Sequence, residues 1–389
     1  MIERYIYNDL NYSLTKFPVV CITGPRQCGK TTLAKHFCAG YDREFIYIDL
    51  EKMEDFRRIE DPGLFFRDHR AGFIVIDEIQ RMPSLFSEIR AEVDRDRRPG
   101  RFLILGSASP DIVRNTSETL AGRIKYIRLH PFILPEVDQL IKIQDIFFWG
   151  GFPEVLLDDD TRFRREWLDS FIYTYLERDF PMMGLKASPI QIRRLWEMVA
   201  WQSGSLLNAS SLGRSLGVSN HTLNAYLDYL EGAFMIYRIA PFEANVGKRI
   251  VKSPKVFIAD TGVLHRLLRL ESYEQLMGTP VAGHSWENFV LTQVLPVIHG
   301  NWNCWFYRTH TGMEADLVMG RGLTPEMCVE IKLSSAPHLS RSFVTAINDL
   351  KTPRNYIIIP EGKSYRIRED ITVCSIKEFL GILSSGELT

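Results

Sequence analysis

The chain has 389 residues, of which 45% are hydrophobic and 24% are charged. This length allows about two or three domains with packed cores. The formal net charge is −1, which excludes a strong overall field that would draw the whole protein to nucleic acid or to a membrane. No window approaches the ~18 apolar residues of a membrane-spanning helix, and there is no signal-peptide pattern. The six cysteines form no Cys-x-x-Cys pair, as is typical of reduced thiols, so we expect a cytoplasmic protein without a membrane partner.

The first motif is Gly-x-x-x-x-Gly-Lys-Thr at residues 24–31. In such a loop the backbone N–H groups face phosphate oxygens, Lys30 reaches the β- and γ-phosphates, and the Thr31 hydroxyl ligates Mg²⁺. An apolar strand is predicted at 19–22 and a helix at 31–37, whose N-terminus favours phosphate. The pattern therefore predicts ATP and Mg²⁺ as cofactors. The predicted nucleotide-binding residues are Gly24, Pro25, Arg26, Gln27, Cys28, Gly29, Lys30, Thr31 and Thr32.

A second segment, residues 73–78, is an apolar run that ends in two carboxylates. In this Walker B pattern Asp77 holds the Mg²⁺ shell and Glu78 polarises the attacking water. A further strand at 102–106 ends where additional-strand ATPases carry a sensor of the γ-phosphate. Ser107 is the first candidate for that sensor and Ser109 the second, with a simple turn as the alternative.

Further along, Arg123 follows Leu-Ala-Gly in a short loop. It is a candidate to contact phosphate in its own chain or in a neighbour's site. An ordinary surface charge is the alternative.

The alternation of strands and helices over residues 1–135 predicts an α/β domain with a parallel sheet and helices on both faces. Residues 136–280 are predicted to be mainly helical, with one long helix at 163–180. Within this region a winged helix-turn-helix is predicted from the Ser219 cap and the helical spacing after it. Its predicted helices are 209–216 and 220–230, and its predicted strands are 234–239 and 255–259.

Basic residues cluster between the two strands of the predicted wing. Such residues supply affinity for nucleic-acid phosphates without reading the base sequence. We therefore expect sequence-tolerant DNA binding here, and a winged helix used for packing or protein contact is the alternative. The basic residues are Lys248, Arg249, Lys252 and Lys255.

Residues 281–389 contain a second set of candidate catalytic side chains. Asp316 is predicted on one strand and Glu330 and Lys332 on the next, where alternate residues share a face. Glu287 is predicted on the apolar face of a preceding helix, where a carboxylate needs a partner or a metal. Two or three carboxylates would bind Mg²⁺, and the lysine would stabilise charge on an attacked phosphate. Glu-x-Lys is also a common surface pair, so the alternative is a nuclease-like fold without catalytic activity.

The chain resembles a large prokaryotic family of AAA-type ATPases that carry a C-terminal domain of unknown function. The resemblance covers nearly the whole chain, and it implies ATP binding together with a winged helix and a nuclease-like C-terminal module of the PD-(D/E)XK type. Ala315 departs from that pattern, since many such nucleases have proline there. The matching segments are 24–31, 75–83, 106–109, 120–123, 150–153, 175–179, 260–262, 314–318 and 329–332.

Nucleotide sites in AAA-type proteins lie at subunit boundaries, so the resemblance implies a homo-oligomer with Arg123 or Arg178 near a phosphate. An ion pair with Glu177 or Asp179 is the alternative for Arg178. The leading prediction is an ATP-hydrolysing ATPase coupled to a DNA-directed module, which is a Mg²⁺-dependent nuclease if its carboxylate site is active. The alternative is a nucleotide-switched scaffold or regulator whose nuclease-like domain is inactive and binds a protein partner.

Overall fold

The computed structural model describes residues 2–40, 44–107, 120–182, 185, 187–243, 249–298 and 302–385. Its N-terminal part contains a parallel sheet with the strand order β2-β3-β4-β1-β5. These strands are β1 (Val19–Thr23), β2 (Phe45–Asp49), β3 (Phe73–Asp77), β4 (Phe102–Gly106) and β5 (Ile124–Arg128). The α/β fold predicted for this part is confirmed.

Helices cover both faces of this sheet, as predicted. Successive residues of a strand point to opposite faces. Val19 and Cys21 accordingly belong to one buried cluster with Ile89, whereas Val20 belongs to another with Leu33. The helices of this part are α1 (Tyr7–Leu14), α2 (Lys30–Ala39), α3 (Met53–Arg58), α4 (Pro62–Asp68) and α5 (Leu85–Arg95).

The middle part is mainly helical, but the long helix predicted at 163–180 is interrupted. The α-helix ends at Thr174 and is followed by a π-helical turn at Tyr175–Asp179. The helices are α6 (Leu134–Val137), α7 (Ile143–Trp149), α8 (Pro153–Leu156), α9 (Thr161–Thr174), α10 (Phe180–Met182), α11 (Pro189–Trp201), α12 (Ala209–Leu216), α13 (Asn220–Gly232), α14 (Thr261–Leu267) and α15 (Tyr273–Met277). The strands are β6 (Ser205–Leu206), β7 (Ile236–Ile239) and β8 (Lys255–Ile258).

The winged helix-turn-helix architecture is present in the middle part. The Ser219 hydroxyl accepts a hydrogen bond from the Thr222 N–H at 3.1 Å and so caps α13. Strands β6, β8 and β7 form a small antiparallel sheet in that order.

Two further segments of the family pattern meet each other beside α7. The carboxylate of Asp260 caps α14 through the Val263 N–H at 3.1 Å and also accepts the Gly151 N–H at 2.8 Å. A Cβ atom on Gly262 would lie 2.0 Å from the Trp149 carbonyl oxygen. The glycine is therefore required by a close backbone approach, and these segments have a structural role.

The C-terminal part is a mixed sheet with the strand order β13-β14-β12-β11-β10-β9. Its strands are β9 (Trp302–Arg308), β10 (Glu314–Arg321), β11 (Thr324–Ile331), β12 (Arg354–Ile359), β13 (Tyr365–Arg368) and β14 (Ile371–Ser375). Its helices are α16 (Ala282–Val294), α17 (Arg341–Leu350) and α18 (Ile376–Ser384). Within the described ranges, no helix is both long and apolar enough to cross a membrane.

The middle and C-terminal parts are joined by backbone pairing and by a common core. The Phe242 N–H donates to the Phe306 carbonyl at 2.7 Å, and the Val251 N–H donates to the Arg308 carbonyl at 3.1 Å. The wing segment between β7 and β8 thus lies against β9. One hydrophobic cluster extends from Phe132 to Leu380.

Candidate functional site

The phosphate loop lies at the carboxyl end of β1, between that strand and α2. A Cβ atom on Gly24 would lie 2.1 Å from the Leu129 carbonyl oxygen, so only glycine allows the loop to pass β5 this closely. Gly29 precedes α2 with a φ of 96°, a left-handed conformation that suits glycine. Gln27 also has a positive φ, 63°, which is uncommon for a residue with a side chain.

Side chains behind the loop hold its backbone. Arg4 donates to the Cys28 carbonyl at 2.8 Å and to the His130 carbonyl at 2.6 Å, and it forms an ion pair with Glu136 at 3.1 Å. The Cys28 side chain is fully buried, and its thiol lies 3.6 Å from the Leu129 carbonyl oxygen. The Cys28 thiol therefore points away from the concave side of the loop, so only the backbone of Cys28 can contact a phosphate there.

Lys30 is folded onto the loop. Its ammonium donates to the Gly24 carbonyl at 3.0 Å and to the Pro25 carbonyl at 2.7 Å, and the residue is 5% exposed. Thr32, the last predicted binding residue, lies one position beyond Thr31 on α2 and is exposed.

Thr31 and Asp77 lie close together because the loop after β1 and the end of β3 are at the same edge of the parallel sheet. The Thr31 hydroxyl donates to Asp77 Oδ2 at 2.7 Å, and the Tyr47 hydroxyl donates to the same oxygen at 2.6 Å. The Glu78 N–H donates to the other oxygen of Asp77 at 2.9 Å. Burial, followed by the nearby Asp77 charge, raises the pKa of Tyr47, so this partner stays neutral. Because Mg²⁺ prefers oxygen ligands, the hydroxyl and the carboxylate fit this ion.

Glu78 and Ser107 also meet. The Ser107 hydroxyl is 3.2 Å from Glu78 Oε2, and the amide nitrogen of Gln80 donates both to Ser107 Oγ at 2.7 Å and to Glu78. Glu78 has a φ of 56°, a strained conformation of the kind that concentrates at functional sites. The second sensor candidate, Ser109, lies outside the described residues.

The two candidate arginines lie in different places. Arg123 is located where β5 begins, since its carbonyl accepts the Val19 N–H at 3.3 Å, and its side chain pairs with Asp94 at 2.7 Å. The length of β1 separates it from the phosphate loop of its own chain. Arg178 is close to the loop, because it shares the carboxylate of Glu51 with Arg26 at 3.1 and 3.8 Å respectively.

The second predicted site is organised around a lysine. The ammonium of Lys255 lies 2.6 Å from Glu287, 2.9 Å from Glu314 and 3.7 Å from Asp316. Lys255 is 2% exposed, so the expectation that it contacts DNA phosphates from the wing is wrong. We call Lys255, Glu287, Glu314 and Asp316 the lysine cluster.

Glu330 and Lys332 lie beside the lysine cluster rather than completing a metal site. Lys332 pairs with Glu330 Oε1 at 2.8 Å, and the Ser340 hydroxyl donates to the same oxygen at 2.9 Å. Asp316 accepts the Ile331 N–H at 2.8 Å, which links the two strands. No group of three or more His, Cys, Asp or Glu side chains in the described parts of the chain is arranged to hold a metal ion. The ammonium of Lys255 therefore competes with the Mg²⁺ predicted here for Glu287 and Asp316.

The electrostatics of the lysine cluster agree with this geometry. Burial opposes the charge of Lys255, but the carboxylates outweigh it and raise the lysine pKa. Burial, followed by the nearby Glu287 charge, raises the pKa of Asp316 to about 7. The pKa of Glu287 is lowered, because Lys255 and His284 outweigh its burial. A permanent cation already offsets part of the charge of these acids.

Sequence reasoning missed Tyr47, Gln80 and Glu314, and it assigned Lys255 to DNA binding by the wing. Tyr47 lies on the strand next to Asp77, and Gln80 lies in the segment after the Walker B carboxylates. Lys255 precedes Val-Phe-Ile in β8. The sequence signal for Lys255 was its position as a charged residue at the start of an apolar strand, because a buried charge needs a partner of opposite charge.

Three family models match successive parts of the chain. Residues 16–137 match an AAA domain. Residues 141–274 match a domain of unknown function, DUF8612, and residues 282–379 match another, DUF4143.

Three relatives align with two thirds or more of this chain. An uncharacterized protein of Mycobacterium tuberculosis is 37% identical over 379 residues, which cover 97% of this chain and 85% of the relative. An uncharacterized protein of Mycobacterium bovis gives the same values. The chain belongs to the family of these two proteins. An uncharacterized protein of Haemophilus influenzae is 24% identical over 67% of this chain and 72% of its own length.

Solved structures that resemble this chain share less sequence identity with it. A Walker-type ATPase of Pyrococcus abyssi is 16% identical, with a TM-score of 0.47 over 69% of this chain and 96% of its own. A signal-transduction ATPase with a tetratricopeptide-repeat sensor from Pyrococcus horikoshii is 13% identical, with a TM-score of 0.30 over 76% of this chain and 46% of its own. In sequence and in the geometry of its loop, the chain contains an AAA-type ATPase domain.

Proposed function

We propose that this protein binds and hydrolyses ATP with Mg²⁺ at the phosphate loop. The observation that carries the proposal is the 2.7 Å contact between the Thr31 hydroxyl and the Asp77 carboxylate, with Glu78 directly after it. A hydroxyl and an acid at this spacing are the protein ligands that phosphate-loop enzymes use for the metal.

Each nearby side chain has a role in this proposal. Lys30 exchanges the loop carbonyls for β- and γ-phosphate oxygens, and Glu78 accepts a proton from the attacking water. Ser107, which already contacts Glu78, reports the position of the γ-phosphate. When bound, Mg²⁺ would neutralise charge on the triphosphate.

The test is thermal unfolding with and without Mg-ATP. Ligand at about 100 times its Kd stabilises a protein by about 2.7 kcal/mol, which is a measurable rise in Tm. Lys30→Ala should lose both the shift and ATP turnover, because the cation that faces the phosphates is removed. No shift of the unmodified protein at millimolar ATP would reject the proposal.

For the C-terminal part, we propose the nucleotide-switched scaffold, in which the nuclease-like domain is inert and binds a protein partner. Lys255 supports this choice, because its ammonium lies among the acids that a nuclease would use for Mg²⁺. The competing proposal is a Mg²⁺-dependent nuclease built on Glu287, Asp316, Glu330 and Lys332. Incubation of plasmid DNA with the protein and Mg²⁺ or Mn²⁺ should give no nicking. Nicking that is lost in Asp316→Ala would favour the nuclease.

DNA binding by the winged helix remains a separate proposal. Of the four basic residues predicted to bind DNA, Arg249 and Lys252 are exposed, Lys255 is buried, and Lys248 lies outside the described residues. Pairing of the wing segment with β9 favours the packing role instead. If DNA binds, affinity should fall with salt at a log–log slope of about −0.9 per phosphate, and reversal of Arg249 and Lys252 to Glu should reduce that slope. An unchanged slope would assign any binding to another surface.

We also propose that the protein forms a homo-oligomer, as its resemblance to AAA-type ATPases implies. Mass measurement by sedimentation, with and without Mg-ATP, tests this. A monomer under both conditions would contradict it.

A further inference from the structure

The π-helical turn at Tyr175–Asp179 is a point where the middle part touches the phosphate loop. Such turns are rare within helices and frequently occur at functional sites. Here the turn follows α9 directly and precedes the short α10. Two of its side chains contact the same loop residue, Arg26.

Tyr175 contacts the backbone of the loop. Its hydroxyl accepts the Arg26 N–H at 2.8 Å. The ring is 1% exposed and packs against Phe171 and Phe180, with ring centroids 4.7 and 5.8 Å away. The position of the hydroxyl is therefore fixed by the aromatic core of the middle part.

Asp179 contacts the side chain of the same residue. Its Oδ1 lies 3.3 Å from Arg26 Nε, and Asp179 is 1% exposed. Among the described residues, no well-aligned hydrogen-bond partner is found for either carboxylate oxygen of Asp179 or for Arg26 Nε. A buried carboxylate with only this loose pairing is costly, and burial raises its pKa against the opposing effect of Arg26.

We propose that Tyr175 and Asp179 are positioning residues that fix the phosphate loop through Arg26, so that nucleotide affinity depends on the middle part. The inference rests on the proposed ATP binding. Phosphate capture requires loop N–H groups that are already oriented, and freezing a loose loop would reduce affinity. Backbone and side-chain contacts to one residue fix both its location and its rotation.

The first experiment compares Tyr175→Phe with Tyr307→Phe. Both variants remove the hydroxyl of a buried tyrosine, and the Tyr307 hydroxyl instead donates to Asp349 at 2.8 Å in the C-terminal part. Titration with a fluorescent ATP analogue should show a Kd raised about fivefold in Tyr175→Phe, as expected for one lost hydrogen bond, and unchanged in Tyr307→Phe. KM for ATP should rise with it, while kcat should stay within about twofold, because uniform binding is lost.

The second experiment tests whether Asp179 acts through Arg26. Asp179→Asn should weaken nucleotide binding about fivefold in the unmodified protein but less than about twofold in an Arg26→Ala background. A purely structural role would give the same loss in both backgrounds. Unchanged Kd in both Tyr175→Phe and Asp179→Asn would overturn the inference. Absence of binding by the unmodified protein would instead reject the proposed ATP binding.

Discussion

The phosphate site and the lysine cluster both gather acids at strands, but they differ in how those acids are compensated. At the phosphate site, Asp77 is surrounded by the neutral hydroxyls of Thr31 and Tyr47 and by a backbone N–H. In the lysine cluster, the ammonium of Lys255 lies within 3.7 Å of three carboxylates. The first arrangement leaves negative charge for a metal ion to neutralise, whereas the second places a buried cation among its acids and so offsets part of their charge.

The difference shows that motif residues alone do not define a metal site. Both regions contain carboxylates and a lysine at plausible spacing. The Lys30 ammonium donates its hydrogen bonds to carbonyl groups of the phosphate loop and not to Asp77. The Lys255 ammonium, in contrast, lies among the carboxylates of the lysine cluster. The decisive feature is the location of the cation, which depends on tertiary structure.

The largest expected effect concerns catalysis at the phosphate site. Glu78→Gln should lower ATP turnover about 10²–10⁴-fold while ATP binding is retained, because the amide cannot accept the proton of water. Steady-state turnover and a binding titration measure the two quantities. The matched control is Glu330→Gln, which should leave turnover unchanged. Equal losses in both variants would remove the functional distinction between the two regions.

The next effect concerns stability of the lysine cluster. Lys255→Met should lower the free energy of unfolding by about 3–5 kcal/mol, because buried carboxylates lose their cation. Chemical denaturation measures this loss. Lys332→Met is the control, and its partly exposed pair with Glu330 should cost less than about 1 kcal/mol. Similar losses would contradict a central role for Lys255.

Another buried acid, Asp260, is held by backbone N–H groups and sharpens the comparison. Burial raises its pKa to about 6. Between about pH 4 and pH 6 the folded protein keeps a proton that the unfolded chain has lost, so this group makes stability fall as pH rises. In Asp260→Asn this pH dependence should be absent. The unfolding free energy of the variant, relative to that of the unmodified protein, should therefore rise by about 2 kcal/mol from pH 4 to pH 7. Parallel pH profiles of unfolding free energy would contradict the expectation.

The smallest effect is expected at Arg123. Its pair with Asp94 is partly exposed, so Arg123→Ala should change stability by less than about 1 kcal/mol and ATP turnover by less than about twofold. A loss approaching 10³-fold, rescued by mixing with Glu78→Gln subunits, would instead assign Arg123 to a neighbour's site.

The sheet of the N-terminal part could be predicted almost to the residue. β4 coincides with the predicted strand 102–106, and β1 and β3 agree to within one residue with the predicted segments 19–22 and 73–78. A parallel strand buried on both faces is a continuous apolar run, which ends clearly in sequence. Lys30, Thr31, Asp77 and Glu78 could be located because their spacing to these strands is local.

The rest depended on contacts between distant residues. Lys255 appeared to belong with its basic neighbours in the wing, but its partner Glu287 is 32 positions away. The π-helical turn was hidden because apolar residues continue through Tyr175 and Phe180 as they would in an α-helix. Local patterns gave the elements, whereas the compensation of buried charge was set by packing.

The common core of the middle and C-terminal parts has a consequence for recombination between relatives. Two separate family models match these parts, yet Trp196, Trp286 and Phe289 belong to one buried cluster, and the wing pairs with β9. A chimaera that exchanges only residues 282–379 would join two surfaces that had not been selected together. Such an exchange should destabilise the chimaera, whereas exchange of both parts together should preserve folding.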